Sequence, residues 1–161
     1  MDPRSQSEFQ ETVIEINRIS KKTKGGNQIR FSALVVVGDR KGKVGVGMGK
    51  APNVVSGIRK AITQAKKNML TIPKKGTTIP YEVRVKYGAA KILLKPARVG
   101  SGIVAGGPLR AVFESAGLRD IVAKILGSNN KVTNLYAVMR AIQALNSLSD
   151  KTSSEKHESA N

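Results

Sequence analysis

Three runs of apolar residues near the start of the chain have the spacing of β-strands. Residues 11–19 (ETVIEINRI) are rich in β-branched side chains, with Ile14 and Ile16 expected on one face of a first strand. Residues 31–37 (FSALVVV) are apolar almost without interruption, a pattern typical of a central strand. Residues 44–49 alternate valine or methionine with glycine, which predicts a third strand with one face free of side chains.

A helix is predicted to follow these strands. Pro52 would open it, because the first turn does not use the amide hydrogen that proline lacks. Apolar residues then recur at helical spacing, and the stripe expected to pack on the sheet is Val54, Ile58, Ile62, Ala65 and Met69. The first module is therefore predicted as β-β-β-α.

A second module follows residues 70–80 (LTIPKKGTTIP), which contain two prolines and a glycine and are the best candidate for a linker. Residues 81–87 alternate apolar with charged side chains and predict a half-exposed strand. Ile92 and Leu94 mark the returning strand, and the short apolar run at 120–126 (DIVAKIL) predicts another.

Two helices complete this module. A glycine-rich connection at 96–107 leads to a helix that begins at Pro108 and ends at Gly117. Apolar residues at helical spacing between 132 and 145 predict the second helix. We therefore predict an α+β protein of two small domains, in which a β-β-β-α domain is followed by a β-α-β-α domain. The predicted boundaries are a flexible tail at 1–8, a first domain at 9–72, a linker at 73–80, a second domain at 81–148 and a disordered tail at 149–161.

The charge of the chain restricts its possible functions more than the pattern of strands and helices does. The chain has 28 Lys and Arg against 11 Asp and Glu, a net charge of +17, and residues 16–75 hold fifteen of these cations with one acid, Asp39. Such an excess indicates binding to nucleic acid or to an anionic membrane. No apolar run approaches the length of a transmembrane helix, so a membrane partner is disfavoured. The chain has no cysteine, which favours a reducing compartment, and we expect a cytoplasmic protein.

Residues 18–30 concentrate this charge. They carry five cations and no carboxylate, and Gly25-Gly26-Asn27 is expected to turn the chain in the middle. Burying five unpaired charges would cost more free energy than folding can offset, so the segment must project from the fold. Phosphate is the natural ligand, because lysine and arginine supply charge and glycine allows the backbone to approach closely. The alternative is a solvated basic hairpin without a partner.

Residues 42–50 (GKVGVGMGK) suggest a nucleotide-binding loop, but their spacing does not fit one. A phosphate loop ending at Lys50 would need glycine at Val44 and serine or threonine at Ala51. The single histidine, His157, lies in the predicted polar tail, and no acidic residues recur at a metal-binding interval. We therefore expect no enzymatic activity, no cofactor, no metal and no small-molecule substrate.

The connection from Gly100 to Arg110 has two interpretations. It is either a flexible connector before a helix or a tight turn that presents Arg110 and the helix N-terminus to a protein or a phosphate. Aromatic residues are scarce, with three Phe, three Tyr and no Trp, so a surface that stacks single-stranded bases is disfavoured. Structured RNA, read through its shape and phosphates, fits the composition better.

Several motifs in fixed order resemble the bacterial small-subunit ribosomal protein five family. In the first domain they are NRISK at 17–21, KGG at 24–26, FSALVVVGD at 31–39, GVGMGKA at 45–51 and AKKNM at 65–69. In the second domain they are LKPA at 94–97, GSGIVAGG at 100–107, Gly117 and AKILGSN at 123–129. The resemblance covers roughly residues 8–148.

This resemblance implies a first domain similar to double-stranded-RNA-binding folds and a protein that binds 16S rRNA in the small subunit. It also implies a role in assembly, in the organisation of body and head, and in decoding fidelity, beside ribosomal proteins four and eight and near the mRNA channel. The loop at 21–30 would reach toward the head, with Lys24, Gly25 and Gly26 near the site of spectinomycin. Gly102 and Arg110 would face protein four. A bacterial ribosome is favoured over an organellar one.

The candidate rRNA-binding residues combine the basic segment with other cations of the first domain. The predicted rRNA-binding set is Arg18, Lys21, Lys22, Lys24, Gly25, Gly26, Asn27, Arg30, Arg40, Lys43, Lys50, Arg59, Lys60, Lys66 and Lys67.

The alternative function is a free-standing regulator that binds duplex RNA, which would leave the second domain unexplained.

Overall fold

The computed structural model of the chain describes residues 9–159, and the side chains of residues 9–151. The predicted tail at 1–8 lies outside the described residues. The α+β class and the order of the two modules are confirmed. The elements are β1 (Gln10–Thr23), β2 (Gly26–Gly38), β3 (Lys43–Ala51), α1 (Val54–Lys67), β4 (Leu70–Thr71), β5 (Val83–Tyr87), β6 (Ala90–Pro96), β7 (Ile103–Val104), α2 (Gly107–Ala116), β8 (Ile121–Ile125) and α3 (Lys131–Ser159).

The first sheet has the order β1-β2-β3-β4, and its central strand β2 is buried on both faces. Ala33, Val35 and Val37 pack with α1 on one face. Leu34 and Val36 belong to the core shared with the second domain on the other face. This double burial explains why the run FSALVVV is apolar without alternation.

α1 packs on the glycine face of β3 through small residues. A Cβ at Gly45, Gly47 or Gly49 would collide with the carbonyl oxygen of Ala65, Ala61 or Gly57, respectively. The buried face of α1 is therefore Gly57, Ala61 and Ala65. Of the predicted stripe, Ala65 lies on this face, whereas Ile58 and Ile62 are only partly buried. The larger side chains lie beside the contact, because the helix approaches the strand too closely to leave room beneath it.

The start of α1 also differs from the prediction. Asn53 is the N-cap, and its side-chain oxygen accepts a hydrogen bond of 2.8 Å from the amide of Ser56. Pro52 precedes the cap and lies outside the helix. A side-chain oxygen at the cap satisfies an amide of the first turn, which proline cannot do.

The second sheet has the order β5-β6-β8-β7. β7 forms inside the glycine-rich connection, where Ile103 and Val104 pair in parallel with Ile121 and Val122 of β8. α2 and α3 both pack against the inner face of this sheet, through the apolar residues that alternate along its strands. Within residues 9–159, no helix packs on its other face.

The two domains share one core and stack as four layers. α1 is followed by the first sheet, then by α2 and α3, then by the second sheet. Backbone hydrogen bonds cross between the domains, from the amide of Arg40 to the carbonyl of Ser115 at 2.9 Å and from Gly42 to Ala116 at 2.8 Å. The domains therefore pack as one body.

The segment proposed as a linker is part of this body. Leu70 and Thr71 form β4 and pair with β3, while Ile72 and Ile79 are buried in the shared core. Prolines and a glycine predicted a break in regular structure here, and the structure has one. The two isoleucines nevertheless anchor the segment, because burying each of them is worth about 1.5–3 kcal/mol.

α3 extends to Ser159, into the segment 149–161 that was predicted to be disordered. Residues 131–159 contain no glycine or proline, so no residue in this stretch terminates the helix. The polar composition that suggested a tail describes a helix that leaves the core. Residues 160–161 lie outside the described residues.

Asp120 joins three segments of the second domain. Its buried carboxylate accepts hydrogen bonds from the hydroxyl of Thr77 at 2.6 Å, from the amide of Gly100 at 3.1 Å and from the amide of Gly102 at 2.8 Å. The hydrogen bond from Thr77, followed by those from the amides, lowers the pKa of Asp120 below its ordinary value of 3.8. The glycine-rich connection is therefore fixed at one end by an ionised carboxylate.

We expect Asp120→Asn to lower the free energy of unfolding at pH 7, because the amide accepts these hydrogen bonds more weakly and directs its NH2 group toward some of the donors. The lowered pKa means that the ionised form stabilises the fold above pH 3.8 and that this contribution is lost as the pH falls through the folded pKa. Denaturant unfolding from pH 7 to pH 2.5 should show the difference from the wild type shrinking in acid. The control is Glu82→Gln at an exposed acid; a pH-independent difference for Asp120→Asn would contradict the assignment.

Gly47→Ala should destabilise the protein by about 1 to 3 kcal/mol, because the new methyl group forces α1 away from β3. Gly107→Ala is the matched control, since a Cβ there meets nothing within 4 Å and the residue lies in the first turn of α2. Chemical denaturation of both variants measures the contrast. Equal stability of the two variants would show that the α1–β3 contact can relax.

Candidate nucleic-acid interface

The basic segment at 18–30 is a β-hairpin that extends beyond the core. β1 and β2 pair in register from Arg18 with Phe31 to Thr23 with Gly26, and the turn is Lys24-Gly25. The hydroxyl of Thr23 donates a 2.7 Å hydrogen bond to the carbonyl of Gly26, which closes the turn. The strand from Gly26 to Arg30 reaches about 17 Å at the rise of an extended chain. The turn therefore comes earlier than the Gly25-Gly26-Asn27 predicted, and Asn27 lies in a strand.

The register places cations on both faces of this hairpin. Residues directly opposite each other in an antiparallel ladder share a face. Arg18 and Lys22 therefore lie on the face that α1 covers further along the sheet, while Lys21 and Arg30 lie on the other. Lys24 occupies the tip. All five are exposed, residues 16–38 contain no acid, and among the described side chains none of the five forms an ion pair. This arrangement suits insertion between phosphates better than docking on a flat surface.

The hairpin also exposes apolar side chains that the sequence pattern had assigned to the fold. Ile16 is 43 % exposed and Ile29 is 42 % exposed. A β-bulge between Val13 and Glu15 shifts the register, so Ile14 packs against the shared core while Ile16 points to the opposite face. The two isoleucines predicted on one face are therefore on different faces, because the extra residue of a bulge reverses the alternation.

Three further candidates lie near the base of the hairpin. Lys50 ends β3 opposite Ser32, and its carbonyl accepts a 3.4 Å hydrogen bond from the ammonium of Lys60. Arg59 and Lys60 lie in the half of α1 that packs beside the end of β3 nearest the hairpin, and all three side chains are exposed. The structure therefore brings Lys50, Arg59 and Lys60 together with the hairpin as one cationic surface.

The other four candidates lie at the opposite end of the first sheet. Arg40 and Lys43 flank the β2–β3 turn, where the guanidinium of Arg40 donates a 2.6 Å hydrogen bond to the side chain of Gln10. Lys66 lies 3.7 Å from the carboxylate of Glu11, and its ammonium lies 5.3 Å from the centre of the Phe9 ring. Lys67 lines a cleft with Tyr136 and Met139 of α3. These four residues do not join the hairpin surface.

The β2–β3 turn is fixed by Asp39. Its carboxylate accepts hydrogen bonds from the amides of Lys41 at 2.8 Å and Lys43 at 2.9 Å. Partial burial raises the pKa of Asp39, but the amide hydrogen bonds and the charge of Lys43 outweigh it, so the pKa is lowered overall. The one acid among the cations of residues 16–75 therefore shapes a turn away from the hairpin.

Gly102 and Arg110 lie in the second domain. The amide of Gly102 is held by Asp120, and the carbonyl of Gly102 accepts a 3.2 Å hydrogen bond from Ile121. Arg110 is exposed on α2 and pairs with Glu114 at 2.9 Å. Of the two interpretations of this connection, the hydrogen bonds fit the tight turn.

Other ligand classes find little support in the part of the chain that the structure describes. Residues 9–159 contain no group of three or more His, Cys, Asp or Glu side chains that could hold a metal ion. The helices in this range are either too short or too polar to cross a membrane. The glycine face of β3, which suggested a nucleotide loop, is covered by α1.

Comparison with protein families gives two matches. A family model described as "Ribosomal protein S5, N-terminal domain" matches residues 9–73. A second, described as "Ribosomal protein S5, C-terminal domain", matches residues 85–155. Together the matches cover at least part of every strand and helix of the described residues.

The two glycines at the hairpin turn differ in backbone conformation. Gly26 has φ +120°, a backbone conformation that other residues rarely adopt, whereas Gly25 does not have a positive φ and a Cβ there would meet nothing within 4 Å. We expect Gly26→Val to disturb the hairpin and Gly25→Val to preserve it, as measured by the amide chemical shifts of residues 19–30. Thermal unfolding of both should stay cooperative, since neither residue contacts the core. Equal shifts in the two variants would contradict the assigned turn.

Proposed function

The chain belongs to the ribosomal protein S5 family and is a constituent of the small ribosomal subunit that binds its rRNA, and we propose that its hairpin holds rRNA segments in place between the body and the head. In this role the protein supports subunit assembly and decoding accuracy. It works in the cytoplasm of a bacterium, near the mRNA channel and beside ribosomal proteins four and eight.

The observation that carries this proposal is the hairpin at 18–30. Five exposed cations, with no acid in the same segment and no ion partner among the side chains of residues 9–151, form a surface that needs an anion to balance it. RNA phosphates supply that anion at high density, and the release of condensed counterions contributes to binding. Both faces carry cations, so phosphates from two sides can approach the same hairpin.

The construction of the hairpin supports a positioning role. Its two strands continue from the buried sheet, so its direction is set by the core and not by a flexible loop. Phosphate contacts fix the register and orientation of a nucleic acid without reading its sequence. The exposed isoleucines Ile16, Ile19 and Ile29 give the same surface apolar area that an rRNA groove or a neighbouring protein can cover.

The second domain is proposed to carry protein contacts. The turn at 100–102 is held by Asp120, and Arg110 extends from the adjacent helix α2. A fixed turn beside an exposed arginine offers the kind of surface that a protein neighbour recognises, because arginine is enriched in interface cores. Gly102 and Arg110 are the residues proposed to face ribosomal protein four.

Sedimentation of a tagged chain in bacterial lysate tests the proposal. The wild type should migrate with the small subunit and with intact ribosomes in high salt. The variant Lys21→Ala, Lys22→Ala, Lys24→Ala, Arg30→Ala should leave the subunit at a lower salt concentration than the wild type, because phosphate contacts are lost. Its binding should also depend less steeply on salt, because fewer counterions are released.

The matched control removes three lysines and one arginine from other exposed positions: Lys41→Ala, Lys74→Ala, Lys75→Ala, Arg119→Ala. It should remain with the subunit at salt concentrations that release the hairpin variant. If the two variants dissociate at the same salt concentration, the hairpin has no special role. A wild-type chain found on assorted duplex RNA and not on ribosomes would instead favour the free-standing regulator.

A further inference from the structure

No helix of the described residues covers the outer face of the second sheet, and this face is strongly cationic. Both helices of the second domain pack on the inner face, with Ile92, Leu94 and Ile121. The residues that alternate with these along the strands point outward, and five of them are exposed cations. They are Arg84 and Lys86 on β5, Lys91 and Lys95 on β6, and Lys124 on β8.

The strand register brings these five side chains into one grid. Lys86 lies directly opposite Lys91, and Leu93 lies between Arg84 on one side and Lys124 on the other. Leu93 is only 6 % exposed although it belongs to neither core cluster. The register places Arg84 and Lys124 on either side of it, where their aliphatic stems can cover it, since long cationic side chains cover apolar surface while their charges stay in solvent.

These charges are not balanced within the chain. None of the five cations forms an ion pair among the described side chains. The nearest acids in sequence are Glu82, at the rim just before β5, and Asp120, which is buried just before β8. Like charges directly opposite each other, such as Lys86 and Lys91, destabilise a sheet. The face thus carries an electrostatic cost that an anionic partner would remove.

The face lies on the far side of the molecule from α1. Two layers, the first sheet and the layer of α2 and α3, lie between α1 and this sheet. Neighbouring layers are about 10 Å apart, so α1 and the second sheet are roughly 30 Å apart. One turn of a single RNA helix cannot touch both without wrapping around the protein. Two cationic surfaces facing in opposite directions can instead hold two RNA segments.

We infer that the outer face of the second sheet is a second RNA-binding surface, which holds the phosphate backbone of a duplex while the hairpin surface holds another. The inference rests on the proposed function and extends it from one RNA-binding surface to a protein that bridges two RNA segments. The face has no aromatic side chain on which bases could stack, since Tyr87 points to the inner side near Tyr136. Phosphate contacts on structured RNA are therefore the mode that fits.

The test measures how many RNA duplexes one protein binds. A 20-base-pair RNA duplex is added in excess, and sedimentation velocity gives the mass of the complex at low and moderate salt. The sheet variant is Arg84→Gln, Lys86→Gln, Lys91→Gln, Lys95→Gln, Lys124→Gln. The wild type should bind two duplexes and the sheet variant one. In titrations, the weaker of the two wild-type sites should have a salt slope of up to roughly 4, because each phosphate contact contributes about 0.9.

Two controls separate this surface from the hairpin and from net charge. The hairpin variant with Lys21, Lys22, Lys24 and Arg30 changed to Gln should retain a duplex on the sheet face. The charge-matched variant Lys41→Gln, Lys74→Gln, Lys75→Gln, Arg119→Gln, Lys131→Gln should still bind two. Thermal unfolding of the sheet variant should occur at the wild-type temperature or above it, since the repulsion between Lys86 and Lys91 is removed.

The remaining outcomes overturn the inference in distinguishable ways. If the wild type and the sheet variant both bind a single duplex, the second surface is wrong while the proposed function stands. If the wild type binds no duplex and does not migrate with the small subunit, the proposed function falls as well. A sheet variant that binds two duplexes but no longer joins the subunit would show that this face binds a protein, which also overturns the inference.

Discussion

β2 carries the packing on which the other elements depend. Its alternate residues face α1 on one side and the shared core on the other, so both domains are fixed to the same strand. The same strand, beyond Phe31, leaves the core and becomes half of the exposed hairpin. The direction of the hairpin is therefore set by residues that never touch solvent. A loss of packing around Val35 or Val36 would loosen the hairpin as well as the domain contact.

The sequence predicted the strands and helices that apolar periodicity determines, and it missed the features that depend on packing against a neighbouring element. The three long strands, the helices and the position of most turns followed from apolar spacing, and family resemblance identified the ribosomal class. The extent of the hairpin was missed, because strand pairing through Lys21, Lys22 and Gln28 leaves no apolar pattern. Gly57 and Ala61 on the buried face of α1 were missed because the glycines of β3 select small residues, which carry little hydrophobic signal. The anchored linker and the extension of α3 depend on tertiary packing and on the absence of helix breakers.

The candidate site also combines features that the sequence predicted with features that only the fold revealed. Composition indicated an anionic partner and placed most of the charge in the first half of the chain. Only the fold separates Lys50, Arg59 and Lys60, which lie near the hairpin, from Arg40, Lys43, Lys66 and Lys67, which lie at the other end of the sheet. The cations of β5 and β6 alternate with apolar residues in the sequence, whereas Lys124 lies in a run that is mostly apolar and was not singled out. Their joint exposure became evident once both helices were found on one side of the second sheet.

The hairpin has a mechanical consequence that follows from its ladder. Force applied to Lys24 along the strands would pull β1 and β2 in the same direction and would load the hydrogen bonds between β2 and β3 side by side, as shear, instead of opening them one at a time. A flexible loop with the same charges would extend before it transmitted a displacement to the core. This hairpin instead passes a displacement at its tip to β2, and through β2 to the layer that contains α2 and α3. RNA held at the tip is thereby coupled to the second domain through a stiff arm.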